Sequence, residues 1–529
     1  MDTLAEAARR RTFAIISHPD AGKTTITEKL LLYAGALRVA GSIKGRKADR
    51  HATSDFMEME RERGISISSS VLQFDFRNLR MNLVDTPGHA DFSEDTYRTL
   101  SAVDAAIMLI DAVKGVEDRT RRLFEVCRMR NLPIVTFINK MDRVGRDPVE
   151  LMDEVATALN IRTSPLNWPI GQGPEFRGVV DLRTRKAHLY ERVAGGSSLI
   201  PETVIALDDP ALIDALGESM VERLLGEIEL LDAGDPWDKE SFLAGETTPF
   251  FFGSAMTNFG LPLLLEGLAE LLPAPHSRPT SDGRRSVEDP DFAAFVFKIQ
   301  ANMNPRHHDR IAFLRIASGR FERGMTVTVA RNGESLRMSK PHSFVAAERE
   351  IIEEAVPGDI VGVFDPGALR IGDTLYTGTP VRFVDIPRFA PEHFARIQLK
   401  DPSRRKQLQS GLEQLSQEGA IQLFYRENVR SDPYMGAVGQ LQFDVLLARL
   451  ESEYNVHATL TPAPFTVARW LIQGDQHLRW FGARPDYLVV KDRDEHTVVL
   501  FAAQWALQAA LRNLEGLKLL ETSPLGHER

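Results

Sequence analysis

The chain has 529 residues, 43% hydrophobic and 26% charged, which suggests about three soluble globular domains. A formal net charge of −10 at pH 7 argues against indiscriminate polyanion binding by the whole surface, though local basic patches stay open. One cysteine, Cys127, excludes a disulfide framework. No apolar stretch of membrane-spanning length occurs, and the N-terminus lacks the basic-then-apolar order of a signal peptide, so a cytoplasmic protein with no membrane partner is expected.

The first apolar run, residues 12–16, predicts a buried strand, followed by a loop and a helical pattern through Ile26, Leu30 and Leu31. Further strands are predicted over 81–84, 105–110, 132–138 and 249–253, with helical patterns over 118–130 and 263–272. Strands alternating with helices imply a mostly parallel α/β sheet covered on both faces. Residues 163–248 break the pattern and are expected to be an insertion. They include a long acidic helical stretch around 220–231. A Pro-rich, polar linker begins at Pro273 and runs to Asp291. Short apolar or alternating runs over 292–300, 310–317, 325–330 and 359–364, separated by Gly turns, predict a small β-barrel. A second break falls near Ile386, Pro387 and Arg388. Helices over 404–418 and 439–453 beside a strand over 421–425 then predict an α+β domain. The expected boundaries are 1–280, 281–388 and 389–529. Cys127 falls in a helical pattern and reads as an inert core thiol.

Four short segments carry chemistry, each after a predicted strand. Ser17, His18, Pro19, Asp20, Ala21, Gly22, Lys23 and Thr24 join a strand to a helix, the context of a phosphate loop, with Ser17 where the strict pattern has glycine. Backbone N–H groups and the helix N-terminus can surround phosphate oxygens. Lys23 would neutralise the β and γ phosphates and Thr24 would meet Mg²⁺. Asp85, Thr86, Pro87, Gly88 and His89 form the second segment. Its aspartate can hold Mg²⁺, and its glycine can bring a backbone N–H to the γ-phosphate. In the third, Asn139, Lys140, Met141 and Asp142, the Asp142 carboxylate can accept from guanine N1–H and the exocyclic amine, a pair of donors that adenine lacks. Asn139 would contact the base edge and tie the loops, and the Lys140 stem would lie along the base. The fourth is Ser254, Ala255 and Met256, whose Ala255 N–H would face guanine O6. Any one of these could be an ordinary turn. All four in order, at the carboxyl ends of strands, predict a site for GTP or GDP with Mg²⁺.

The loop from Asp20 through Thr25, the stretch Arg63-Gly64-Ile65-Ser66-Ile67 and the segment Asp85–His89 resemble the translational GTPases. Residues 13–20, 54–60, 91–100, 295–303, 436–439 and 441–445 are similar to the bacterial class II peptide-chain release factor family, release factor three. That resemblance implies a multidomain α/β, β and α+β chain: a P-loop GTPase domain, a β-barrel and an α+β third domain. It implies a ribosome-dependent GTP hydrolase that helps codon-reading class I release factors leave after peptide release. Such a factor does not read stop codons, and no Gly-Gly-Gln tripeptide of a peptide-hydrolysing factor is present. A monomer is expected. By resemblance Thr25 joins the nucleotide contacts, and Ser66 is a switch hydroxyl that closes on Mg²⁺ with Thr24 and Asp85. The class usually has threonine at that place, so a methyl is missing here. His89 would be catalytic, orienting the attacking water, with Pro19 and Ile65 screening it. Two basic runs could meet ribosomal RNA phosphates: Arg38, Lys44, Arg46, Lys47 and Arg50, and Lys400, Arg404, Arg405 and Lys406. The alternatives are a translational GTPase acting at a translocation-like step, or a GTP-binding switch with little hydrolysis. Length disfavours the former, since elongation factor G carries two further domains. His89 and Asp85 disfavour the latter.

Overall fold

The computed structural model describes residues 2–36, 69–191, 199–234, 236–301, 310–339, 341–345, 348–384, 388–427 and 429–524. A short helix α1 (Thr3–Ala7) precedes strand β1 (Arg10–Ser17) and helix α2 (Lys23–Tyr33). Strands β2 (Ser70–Phe76), β3 (Leu79–Asp85), β4 (Ala105–Asp111) and β5 (Ile134–Asn139) follow. Strand β6 (Arg162–Pro165) and the later strand Thr247–Phe252 complete this part of the sheet, which continues past β2 into the strand His342–Val345. The order is β2-β3-β1-β4-β5-(Thr247–Phe252)-β6. Only β2 runs antiparallel, against β3; the other pairings are parallel.

The central strands are apolar on both faces because both faces are covered. Phe13, Ile15, Ile107, Leu109, Val135 and Phe137 pack with Ile26, Leu30 and Leu31 of α2 and with Leu264, Leu265 and Leu268. The alternate residues Ala14, Ile16, Ala106, Met108 and Ile110 pack with Leu123, Phe124, Cys127, Leu151 and Val155. Cys127 is fully buried there, and burial pushes its thiol up to about 12, so it is inert packing. In the stretch expected to be an insertion, β6 joins the main sheet. Beside it stand a separate four-stranded antiparallel sheet and the helices Ala211–Leu216, Glu218–Asp232 and Lys239–Leu243.

The next strands, including Ala293–Ala301, Arg310–Ser318, Ile360–Phe364 and Thr374–Tyr376, are antiparallel around a core of Val296, Leu314, Ile316, Val361 and Leu375. An eight-stranded sheet with helices Arg405–Gln417, Leu441–Tyr454 and Gln504–Asn513 follows.

A buried polar junction joins the barrel to the first sheet. The Gly358 carbonyl accepts from Thr12 Oγ1 at 2.7 Å, from Asn82 Nδ2 at 3.1 Å, and from Arg315. Gly358 has φ +100°, and a Cβ there would press on Arg10 Cβ at 2.8 Å, so only glycine fits both the conformation and the space. Asp104 is completely buried and takes Arg315 on one oxygen and Arg278, at 2.7 Å, on the other. Burial alone would raise the Asp104 carboxyl. The charges of Arg315, Arg278 and His276 outweigh burial and hold it below the usual aspartate range.

Replacing Asp104 by Ala strands two buried guanidinium groups and is expected to cost about 3–5 kcal/mol, read from urea unfolding. The depressed pKa makes this contribution complete above the unfolded aspartate value of about 3.9 and lost as pH falls through the folded value. The wild type should therefore lose stability on acidification below pH 4 faster than the Asp104→Ala variant. Parallel acid profiles would contradict this assignment.

Candidate nucleotide site

Four loops gather at the carboxyl ends of β1, β3, β5 and the strand Thr247–Phe252. The parallel register pairs Ile15 with Asp85, and Thr86 Oγ1 donates to the Ile15 carbonyl at 2.6 Å. That register brings Asp85 beside the start of α2, where Lys23 Nζ meets Asp85 Oδ1 at 2.6 Å. Both side chains are buried, at 7% and 2% exposure, so neither charge could be held without the other or a ligand.

The first loop is shaped for something other than protein. Ser17 ends β1 with its hydroxyl buried and without a hydrogen-bond partner among the described residues. Asp20 has φ +67° and Gly22 φ +100°. A Cβ on Gly22 would collide with Asn139 Nδ2. Among the described residues no side chain caps α2, whose first turn carries Lys23 and the half-buried Thr24 and Thr25. An uncapped helix N-terminus leaves amide donors aimed outward, which suits an anion. His18 Nδ1 lies 2.9 Å from Glu117 Oε2 and 2.7 Å from the Pro19 carbonyl. A Cβ on Gly88 would come no closer than 3.8 Å to Pro19 Cα, so packing does not demand glycine there.

Asn139 ties the loops. Its Nδ2 donates to the Ala21 carbonyl at 2.8 Å and its Oδ1 accepts from Ala255 N at 2.9 Å. Lys140, at φ +69°, donates to Asp111 Oδ2 at 2.7 Å and to the Asp20 carbonyl at 2.5 Å. Burial raises the Asp111 carboxyl, but the Lys140 ammonium and the amides of Val113 and Lys114 overcome this and leave it lowered. Met141 is buried, its N–H on the Gly253 carbonyl at 3.1 Å. Asp142 accepts from Ser254 Oγ at 2.6 Å, which fixes one carboxylate oxygen.

His89 is 38% exposed, with Nδ1 3.3 Å from Asp91 Oδ1. Its carbonyl accepts from Arg119 at 3.3 Å. Burial, with Arg122 adding repulsion, lowers the Arg119 guanidinium to about 10. Thus Ser17–Thr25, Asp85–His89, Asn139–Asp142, Ser254 and Ala255 converge. Ser66, Ile65 and the basic run from Arg38 to Arg50 lie outside the described residues. The other basic run is remote in sequence and begins the helix Arg405–Gln417, where Lys400, Arg405 and Lys406 are exposed and Arg404 is half-buried.

Sequence reasoning missed Asp111, Glu117 and Arg119. Asp111 ends β4 and was within reach of the rule that sites lie at the carboxyl ends of strands. Glu117 and Arg119 have no such local signal; they act only through the tertiary placement of the helix Asp118–Met129.

Asn139→Ala would leave the Ala255 N–H and the Ala21 carbonyl unpaired in a buried place. A loss of about 1–3 kcal/mol is expected in urea unfolding. An unchanged midpoint would remove Asn139 from this bracing role.

The family model described as the elongation factor Tu GTP binding domain matches residues 8–274. That of elongation factor G domain 2 matches 291–378, and that of the class II release factor RF3 C-terminal domain matches 383–511. The chain is 54% identical over 521 residues to a Symbiobacterium thermophilum protein named peptide chain release factor 3, covering 98% of each chain. A Gloeobacter violaceus protein of the same name is 51% identical over 98% of this chain and 99% of its own. A crystal structure of a Thermus thermophilus protein aligns over 88% of this chain and 71% of its own, with TM-score 0.69 and 24% identity, a likeness of fold.

Proposed function

The chain belongs to the peptide chain release factor 3 family of translational GTPases, and from that premise we propose how its own residues hydrolyse GTP on the ribosome. The activity is that of a release-factor GTPase in translation termination. The observation that carries the site reading is the buried Lys23–Asp85 pair, beside an uncapped helix and an orphaned Ser17 hydroxyl.

Lys23 leaves Asp85 for the β and γ phosphates, while the loop 17–22 and the first turn of α2 supply amide donors. Thr24, Ser66 and Asp85 would hold Mg²⁺, and the donor types fit: two hydroxyls and a carboxylate are hard oxygen ligands. Mg²⁺ would there neutralise charge on the phosphate oxygens. Asp142, aimed by Ser254, reads guanine. The Ala255 N–H, held by Asn139 Oδ1 in this structure, turns to guanine O6 when the base binds, and Asn139 still braces the phosphate loop through the Ala21 carbonyl. His89 orients the attacking water, and its 38% exposure leaves the ring accessible to that water.

The partners are the ribosome and the codon-reading class I release factors, whose departure follows GTP use. The exposed Lys400, Arg405 and Lys406 suit contact with ribosomal RNA phosphates. We take the working form to be a cytoplasmic monomer. Among the described residues no helix is long and apolar enough to cross a membrane. Relatives named release factor 3 align over nearly their whole length, which favours termination over a translocation step.

The test is phosphate production with and without ribosomes carrying a bound class I release factor, with that factor's departure followed in parallel. Ribosomes should stimulate both. His89→Ala should keep GTP binding and lose about 10²–10³-fold of stimulated turnover, the scale of one preorganised transition-state group. Stimulation without faster departure would contradict the termination role. Unchanged turnover in His89→Ala would remove His89 from catalysis.

A further inference from the structure

One side chain joins His89 to the C-terminal domain. Asp91 lies in the 3-10 turn Ala90–Phe92 that follows His89. Its backbone N and its Oδ1 each stand 3.3 Å from His89 Nδ1. The other oxygen, Oδ2, accepts at 2.6 Å from the backbone N–H of Leu441, which begins the helix Leu441–Tyr454. The two residues are 350 positions apart, so this bond exists only while the two domains are docked.

The contact is tight and well braced. A Cβ on Gly439 would overlap the Asp91 side chain and reach 2.6 Å from Asp91 Cα. The Gly439 loop is held by Gln442, whose Oε1 accepts from Val438 N at 2.7 Å and Gly439 N at 3.1 Å. Its Nε2 donates to the Ala420 carbonyl at 3.2 Å. Behind His89, Arg119 fixes the main chain through the His89 carbonyl. The backbone of His89 is therefore held from within the GTPase domain, whereas the Asp91 carboxylate beside its ring is held from the C-terminal domain.

We propose that Asp91 is a positioning residue whose carboxylate, pinned by the Leu441 amide, sets the orientation of the His89 ring and so couples the placement of the C-terminal domain to GTP hydrolysis. A carboxylate is rigid and planar, so fixing one oxygen fixes where the other faces the imidazole. The helix N-terminus also favours the negative charge it holds. When the domains part, the carboxylate loses its outer donor and is free to rotate, and the ring loses a fixed neighbour. This rests on the reading of His89 as the residue that orients water.

The experiment compares full-length wild type with Asp91→Ala, Asp91→Asn, Gly439→Ala and the double variant Asp91→Ala/Gly439→Ala. GTP turnover is measured with and without ribosomes, and GTP and GDP affinities are measured separately. Gly439→Ala changes no residue of the GTPase domain, but its new methyl presses on Asp91 and wedges the C-terminal domain away from it. Each Ala variant should lower the ribosome-stimulated kcat by about ten-fold, within the range of coupling through a packed network, with KM and both affinities unchanged. The double variant should be no worse than either single one, because both remove the same link. Asp91→Asn keeps an oxygen for the Leu441 amide and should recover part of the loss. Stimulated wild type with equally stimulated single variants would overturn the coupling and leave the function standing. Multiplying losses in the double variant, or losses confined to nucleotide affinity, would also overturn it. Wild type without stimulation would overturn the functional reading and this inference with it.

Discussion

Two opposite charges, Lys23 and Asp85, are held 2.6 Å apart almost without solvent, and the site depends on that constraint. Removing either from water is costly unless the other, or a ligand, replaces the lost hydration. The pair exists because β1 and β3 are parallel neighbours with Ile15 opposite Asp85, so the strand end and the helix start face each other. A register slip would turn Asp85 to the other face of the sheet and strand Lys23 in the core. The apolar faces on both sides of the sheet fix the register, and through it the charge pair.

The same economy of contacts joins the domains. Gly358 offers one carbonyl to three donors, and Asp104 offers both carboxylate oxygens to arginines from two segments. These groups are buried and fully committed, which suits a firm barrel-to-GTPase junction. The link to the C-terminal domain near the site is of a different kind. It runs through the bond from Asp91 to Leu441 and the edge contact of Phe389 on Tyr97. This second junction is the one that lies beside His89.

Much of the fold was legible because local pattern and tertiary need agreed. The continuous apolar runs that became β1, β4 and β5 are buried on both faces, as parallel strands require. The strand β2, antiparallel to β3 and joined on its other side to the barrel strand His342–Val345, was missed. Its sequence Ser-Val-Leu-Gln-Phe-Asp-Phe mixes polar and apolar residues, and Gln73 is buried only because it bonds Asn82 and the Ile360 carbonyl of the barrel. The strands after Val467 were not read either, since Trp470 and Asp492 explain each other only through their hydrogen bond across the sheet. In the site, motif spacing named the residues that converge. It could not name Glu117, Arg119 or the role of Asp91, whose partners lie on other elements and in another domain.

The most direct measurement is the equilibrium affinity for a non-hydrolysable GTP analogue, with and without Mg²⁺, in the wild type and in Asp85→Asn. If Lys23 and Asp85 are parted by phosphate and metal, Mg²⁺ tightens binding to the wild type far more than to the variant, which keeps only Thr24 and Ser66 for the ion, while the variant still binds nucleotide without metal. Equal Mg²⁺ dependence in both proteins would contradict the account, because Asp85 would then have no part in holding the metal.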